Sequence, residues 1–321
     1  MTKKELTTII TVKEKHNFHK CFESLSKLNS DFIVLDCIGI ESINNFCNNN
    51  QIKYIKFLDQ PFSFSKAKNN VINFSKTKWL FFIDSNESLI NGHNQLNDII
   101  NSSQTNAYYI SIINEYTVTK EIRLILNNNK HTFQNAYFES IVDHGKVIDV
   151  FLSSKNALDH KKVLQHFLET EMSNPSQNSI KYYSACCYLS CNMIKEFITK
   201  AEEFIFLSKK NEMPQIMTNY YLAVVKCIKK INLQDAIKHI SVCILYKPDM
   251  AEFWCCLADI FYQNNDIEKA KVFYKIAIIA GSKRRKFDTW PLEIKKYKEY
   301  PSNMIKSCLS IQEKRKQYKK I

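Results

Sequence analysis

The chain has 321 residues, more than one compact core usually holds, and its hydrophobic content of 45% is ordinary for a globular protein. Its net charge is +13, but lysine, asparagine and isoleucine are all abundant, as in proteins from AT-rich genomes. Aromatic residues are not interleaved with the basic clusters, so a nucleic-acid partner is not expected. No apolar run approaches the roughly 20 residues of a transmembrane segment.

The compartment is predicted from the first residues and from the cysteines. The first apolar run, residues 8–12, is too short for the core of a signal peptide and is better explained as a strand. The 11 cysteines include no CxxC pair and no zinc-ligand spacing, so reduced thiols are expected. These features predict a cytoplasmic protein, and basic clusters at residues 283–286 and 314–320 leave open a peripheral position at a membrane surface.

Short apolar runs alternate with amphipathic segments along the first half of the chain. This βαβαβαβ order predicts a parallel, twisted sheet with right-handed crossovers. The predicted strands are residues 7–12, 31–36, 52–57 and 78–84, and the predicted helices are residues 16–28, a short segment from about 41, and 64–74.

Two of these strands end in an aspartate. Residues 79–83 are uninterrupted apolar residues, as in a strand buried on both faces, and the run stops at Asp84, Ser85, Asn86 and Glu87. Asp36 ends an earlier strand in the same way. Ligands of open α/β sheets bind at the carboxyl ends of the strands, so we expect the two aspartates to share one crevice. The alternative is that residues 84–87 form only a polar turn.

The sequence lacks the loops that usually bind phosphate groups. Neither GxGxxG nor GxxxxGK[ST] occurs, which argues against a dinucleotide-binding or P-loop enzyme. A divalent cation held by carboxylates is then the simplest way for such a sheet to bind a pyrophosphate.

Three stretches carry a family resemblance: DCIGIESI at residues 36–43, FSKAKN at 64–69 and WLFFIDSNE at 79–87. In order, spacing and strand–helix context they resemble family 2 glycosyltransferases of the GT-A fold, in the subgroup fused to tetratricopeptide repeats. The resemblance implies an α/β GT-A domain, Rossmann-like with a mostly parallel sheet, over residues 1–162. An all-α tetratricopeptide-like domain would occupy residues 163–321 and end in a basic tail.

The resemblance also implies roles for the substrate-binding residues. Asp36 would contact the nucleobase or ribose, with Glu41 on the same loop and helix. Lys68 and Asn69 would lie beside the nucleotide diphosphate. Arg123 matches an arginine that precedes a later motif of the family, and it is assigned to substrate binding.

A metal site and a catalytic base follow from the same comparison. Asp84 and Asn86 would occupy the positions of a metal-binding Asp-x-Asp motif, with His160 completing the metal shell or contacting a phosphate. The expected ion is Mn²⁺ or Mg²⁺, but Asn86 is a neutral ligand where a carboxylate is expected. Glu87 offers a second carboxylate there. Glu139 is the candidate base that takes the acceptor proton.

The second half is predicted to be helical throughout. Apolar residues recur every three to four positions from about residue 163, and Ala236 and Ala270 are 34 residues apart, the tetratricopeptide period. Two clear repeats and one degenerate copy can be aligned on these positions. All their signature residues are predicted to be core, and a protein partner could bind through the repeats.

Two functions are compatible with these patterns. The first is an inverting glycosyltransferase of the hexosyltransferase type, which moves a sugar from a UDP- or GDP-linked donor to a hydroxyl of a glycan, a lipid-linked acceptor or a protein. The second is a catalytically degenerate member of the family that acts as a sugar-nucleotide-binding or repeat-mediated scaffold. Asp36, Asp84 and Arg123 favour the first, whereas Asn86 and Lys68 favour the second.

Overall fold

The computed structural model describes residues 4–14, 17–58, 63–102, 105–115, 117–128, 130–134, 140–141, 145–154, 160–173, 178–208, 212–285 and 288–318. The chain divides into two compact units. The first comprises Met1–Ala157 and Thr289–Pro291, and the second comprises Leu158–Asp288 and Leu292–Ile321. The predicted class, an α/β unit followed by an all-α unit, is confirmed.

The first unit is built on a mixed sheet with helices on both faces. Eight of its strands lie in the order β3-β2-β1-β4-β7-β6-β10-β5, and β8 and β9 form a separate antiparallel pair. The strands are β1 (Leu6–Val12), β2 (Ser30–Asp36), β3 (Lys53–Lys56), β4 (Trp79–Asp84), β5 (Glu87–Asn91), β6 (Ala107–Ile113), β7 (Thr117–Leu126), β8 (Phe133–Gln134), β9 (Ser140–Ile141) and β10 (Lys146–Ser154). The helices are α1 (Phe18–Ser24), α2 (Glu41–Asn49), α3 (Phe64–Ile72) and α4 (His93–Ser102).

The four strands predicted first, β1 to β4, are parallel, as expected for their helical crossovers. Every residue of β1 and β4 is buried, because apolar layers cover both faces of these central strands. One layer packs β1 against α1, α2 and α4, and the other packs it against α3. The strands β6 and β10 run in the same direction as these four, and β7 and β5 run antiparallel to their neighbours.

The second unit consists of helices that pack in consecutive pairs. The pairs are α6 with α7, α8 with α9, and α10 with α11. The repeat positions Ala236 and Ala270 are fully buried, as are Tyr274 and Ala277 further along α11. The elements are α5 (His160–Ser173), α6 (Asn178–Ser190), α7 (Ile194–Leu207), α8 (Met213–Ile228), α9 (Leu233–Tyr246), α10 (Ala251–Gln263), α11 (Ile267–Ser282), a short extended segment Leu292–Glu293, a 3-10 helix Ile294–Tyr297 and α12 (Glu299–Tyr318).

The second helix of each of the last two pairs, α9 and α11, begins in the same way. Asn232 caps α9 and Asp266 caps α11, each accepting a hydrogen bond from the backbone N–H three residues on. These caps are 34 residues apart, the same period as the buried alanines. Across the described residues, no helix has both the length and the apolar character needed to cross a membrane.

Candidate functional site

Asp84 lies at the carboxyl end of the central strand β4, where three cationic side chains surround it. The register pairs Thr11 of β1 with Asp84. Lys13 follows β1 and is two residues beyond Thr11, so it lies on the same face of the sheet as Asp84. Lys68 comes from α3, whose buried face carries it toward the sheet, and Arg123 comes from β7. Four elements of the first unit therefore contribute one charge each.

Both oxygens of the Asp84 carboxylate are engaged. Oδ2 lies 2.9 Å from Nζ of Lys13. Oδ1 lies 3.2 Å from Nζ of Lys68 and 3.7 Å from Nη1 of Arg123. Burial alone would raise the pKa of Asp84, but the three cations outweigh it and hold the pKa well below its ordinary value. Asp84 is therefore an anion at any pH near neutrality.

Glu87 is held against the same group at the start of β5. Its Oε1 accepts a hydrogen bond from Nη2 of Arg123 at 2.9 Å, and its Oε2 accepts one from the backbone N–H of Asp84 at 2.9 Å. Burial raises the pKa of Glu87 to about 7, because Arg123 offsets only part of the cost of burying the charge. Nη2 of Arg123 also lies 3.0 Å from Glu121, which is half exposed. Glu87 thus orients Arg123 and closes the turn after β4.

Asp36 forms a separate polar centre. Its Oδ1 accepts hydrogen bonds from the backbone N–H groups of Ile38 and Gly39, at 2.9 and 2.8 Å. Its Oδ2 accepts hydrogen bonds from the backbone N–H of Ile40 and from the hydroxyl of Tyr54, both at 2.6 Å. These four bonds use the acceptor sites of a carboxylate. Gly39 has a φ of +76°, a conformation that glycine adopts without strain. Asp36 therefore holds the loop that leads into α2, and its contact with a substrate stays a prediction.

The two aspartates lie on different faces of the sheet, and whether they share one crevice stays a prediction. β1 lies between β2 and β4 in the sheet. Asp36 is paired with Val12, whereas Asp84 is paired with Thr11. Neighbouring residues of a strand point to opposite faces, so the two carboxylates lie at the same edge of the sheet but on opposite faces. They share none of the partners given above.

The other predicted substrate residues have different surroundings. The Asn69 side chain exchanges two hydrogen bonds with the backbone of Phe133, at 2.9 and 2.8 Å, and joins α3 to β8. Glu41 is exposed in the first turn of α2, where a negative charge is favoured by the helix dipole. Asn86 is half-buried in the turn between β4 and β5.

Two predicted residues lie beyond what the structure describes. Glu139 is outside the described residues. His160 begins α5, but its side chain is also outside them. The base and the third metal ligand therefore stay predictions.

Lys13 was not predicted from the sequence, although it lies at the carboxyl end of β1, as Asp84 lies at the carboxyl end of β4. Its ammonium lies 4.4 Å from the centre of the Phe64 ring, and that of Lys68 lies 5.2 Å from the centre of the Phe133 ring. Within the described part of the chain, the buried hydroxyls of Thr11 and Ser85 have no hydrogen-bond partner. Such groups are rare in folded proteins and commonly mark a place for a polar ligand or ordered water.

The arrangement at Asp84 does not fit a divalent cation. Mg²⁺ and related ions need oxygen ligands within about 2.0–2.6 Å, yet both Asp84 oxygens already face ammonium or guanidinium groups. An ion bound there would lie among three positive charges. Asn86 adds no negative charge to offset them.

One other cluster has ligand types suited to a metal. In the second unit, Glu202, Asp235 and His239 bring their ligand atoms within 4.8 Å of one another, the single such group found in the described residues. The ammonium of Lys226 lies among them, 2.9 Å from Glu202, 3.4 Å from Nε2 of His239 and in contact with Asp235. The lysine takes the position that an ion would need, so this is an ion-pair cluster between helices.

Comparison with known proteins identifies no family. No family model matches the chain, and no curated protein matches it. The chain is similar to residues 1–349 of S. aureus TarS, solved in complex with UDP-GlcNAc, with 9% identity over 88% of this chain and 94% of that chain and a TM-score of 0.38. It is also similar to MamA 41-end from Desulfovibrio magneticus RS-1, with 11% identity over 48% and 86% of the two chains and a TM-score of 0.36. These low scores leave the function to be argued from the site.

Proposed function

We propose that the first unit binds the diphosphate of a UDP- or GDP-linked sugar and that the chain is a glycosyltransferase. One observation carries this proposal: Lys13, Lys68 and Arg123 converge from three elements at the carboxyl edge of the sheet. Lysine and arginine bind phosphate groups through charge-assisted hydrogen bonds, and this edge is where ligands of such sheets bind. The motif resemblance to family 2 enzymes supports the same conclusion.

The transfer of a sugar from a nucleotide diphosphate requires cations beside the leaving group, and Lys13, Lys68 and Arg123 could supply them. The acceptor hydroxyl oxygen bonds to the anomeric carbon of the sugar, and the bond from that carbon to the diphosphate oxygen breaks. The nucleoside diphosphate leaves with the electron pair, and a base takes the hydroxyl proton. Negative charge grows on the leaving diphosphate, so preorganised cations beside it lower the barrier. A single displacement of this kind inverts the anomeric centre.

The base in this proposal is Glu139, on the strength of the motif alone. Glu87 is unsuitable because both of its oxygens are bound by Arg123 and the backbone of Asp84. Glu41 is exposed beside the loop that Asp36 organises and is the better candidate for the ribose or base contact. The acceptor is proposed to be a glycan, a lipid-linked molecule or a protein. The second unit is proposed to bind a protein partner.

The proposal is tested by following thermal unfolding with a panel of UDP- and GDP-sugars, UDP-GlcNAc included, with and without Mn²⁺. A ligand present at 100 times its Kd stabilises the folded state by about 2.7 kcal/mol. At least one sugar nucleotide should raise the unfolding temperature and should be consumed when an acceptor is supplied. The absence of any shift across the panel would contradict the proposal.

A second function is favoured by the pairing of the buried charges. Asp84 and Glu87 have cationic partners within the unit, and such networks also occur as purely structural features. The chain would then be a degenerate transferase that acts as a scaffold through its helical repeats. Binding of a sugar nucleotide without turnover on any acceptor would favour this reading.

A further inference from the structure

Resting on the proposed function, we propose that Lys13 and Lys68 take the place of a divalent cation as the counter-charge of the sugar nucleotide's diphosphate. Asp84 is then a positioning residue that fixes the two ammonium groups. The inference deepens the proposed site by naming how it compensates the leaving group. It starts from the poor fit of a metal ion at Asp84.

The charges at the site favour an anion. Among the described residues, three buried cations, Lys13, Lys68 and Arg123, face two buried carboxylates, Asp84 and Glu87. The third carboxylate, Glu121, is half exposed, and solvent screens its effect. These described charges, taken together, favour an anionic ligand over a further cation.

The geometry assigns different parts to the two lysines. Lys68 is 1% exposed, so it is fixed within the unit and acts on a ligand mainly through its charge. Lys13 is 12% exposed, the largest fraction of the three cations, and lies at the end of β1. It is therefore the ammonium best placed to donate directly to a phosphate oxygen. The Phe64 ring, 4.4 Å away, limits where Lys13 can move.

Asp84 restrains both ammonium groups through separate oxygens, Oδ2 for Lys13 and Oδ1 for Lys68. A carboxylate that fixes two cations before the ligand arrives reduces the side-chain entropy lost on binding. This gives Asp84 a role at the site that needs no metal. The neutral Asn86 is consistent with that role, since a second carboxylate would cancel charge that the diphosphate requires.

The inference is tested by titration calorimetry of the full chain with UDP and GDP, in buffer containing either EDTA or Mn²⁺. The Kd should be the same within about twofold in the two buffers. Lys13→Gln should weaken binding by about tenfold to a hundredfold, the usual effect of losing a charged hydrogen bond. Lys13→Arg should recover most of that loss. Lys66→Gln is the matched control, because Lys66 is exposed on α3 and should leave the Kd unchanged.

The outcomes separate the inference from the function on which it rests. Binding that requires Mn²⁺ in the wild type would overturn the inference and leave the transferase proposal standing. Equal binding by wild type and Lys13→Gln would also overturn it. No binding of either nucleotide in either buffer would overturn both. Lys68→Arg keeps the charge and should bind within about fivefold of wild type, because Lys68 acts mainly through its charge, and its thermal unfolding is followed in parallel to confirm that it folds.

Discussion

Asp84 is a buried carboxylate that Lys13, Lys68 and Arg123 share, so its loss removes an ion-pair partner from each of them. Asp84→Asn should therefore lower the free energy of unfolding by about 3–5 kcal/mol, as is typical when one partner of a buried pair is lost. Asp31 is a suitable control, because its ion pair with Lys4 has both side chains about half exposed. Asp31→Asn should cost less than about 1 kcal/mol. Urea unfolding of both variants measures the difference, and equal losses would contradict the buried network.

Glu87 should make stability depend on pH. Burial raises its pKa to about 7 from 4.5, so between those values the folded state keeps a proton that the unfolded state has released. The free energy of unfolding should therefore fall as pH rises through this window, by about 1.4 kcal/mol per pH unit. Glu87→Gln cannot titrate and should remove this part of the slope. Urea unfolding of wild type and variant across the window measures the difference between them. Parallel curves would show that Glu87 is ionised throughout.

The four hydrogen bonds of Asp36 can be separated by mutation. Asp36→Ala leaves three backbone N–H groups without their acceptor and should lower the free energy of unfolding by about 3 kcal/mol or more. Tyr54→Phe removes only the hydroxyl bond and should cost about 1 kcal/mol. Equal effects of the two substitutions in chemical unfolding would show that the loop from Ile38 to Ile40 does not depend on Asp36.

The sequence allowed some of these residues to be found and hid others. Asp84 could be found because an apolar run that ends abruptly in an acid is unusual. Lys13 could not be found in this way, because the chain carries 45 lysines and arginines and a single lysine after a strand does not indicate a site. The faces of Asp36 and Asp84 were also beyond prediction, since a shift of one residue in register exchanges the two faces of a strand.

At the scale of elements, buried alanines let α9 pack closely on α8 and α11 pack closely on α10. Ala270→Leu should lower the free energy of unfolding of the second unit by about 1–3 kcal/mol, because the added atoms have no space between packed helices. Val272→Leu adds a methylene at an exposed position of the same helix and should change it by less than about 0.5 kcal/mol. Thermal or urea unfolding followed by helical circular dichroism provides the measurement. A tolerated leucine at position 270 would contradict close packing there.

Strands and helices that are marked by a pattern within one segment were predicted, whereas those that depend on pairing with a distant segment were missed. The strands β1 to β4 and the helices between them follow from apolar runs and helical spacing within single segments. The strand β5 was missed, because Glu87 was assigned to a polar turn and only pairing with the distant β10 makes it a strand. The position of β1 between β2 and β4 is likewise a tertiary property that no single segment contains.

Across the whole molecule, all 11 cysteines are free, and nine of them are buried. The two half-buried thiols are Cys186 and Cys191, and burial raises the pKa of Cys186 to about 12. We expect no more than two thiols to react quickly with a thiol reagent at about pH 8, against all 11 in denaturant. Absorbance titration of native and unfolded protein counts them. Rapid reaction of many thiols in the native protein would mean that one of the cores opens readily.

The network at Asp84 also bears on how the first unit folds. Its charges come from the end of β1, from α3, from β4 and from β7, so no pair can form until distant parts of the sequence have met. We expect these ion pairs to form after the rate-limiting step, which corresponds to a φ-value near zero at Asp84. Substitution of Asp84 should then accelerate unfolding and leave the refolding rate nearly unchanged. The same side chains that would receive a diphosphate would thereby set the lifetime of the native state.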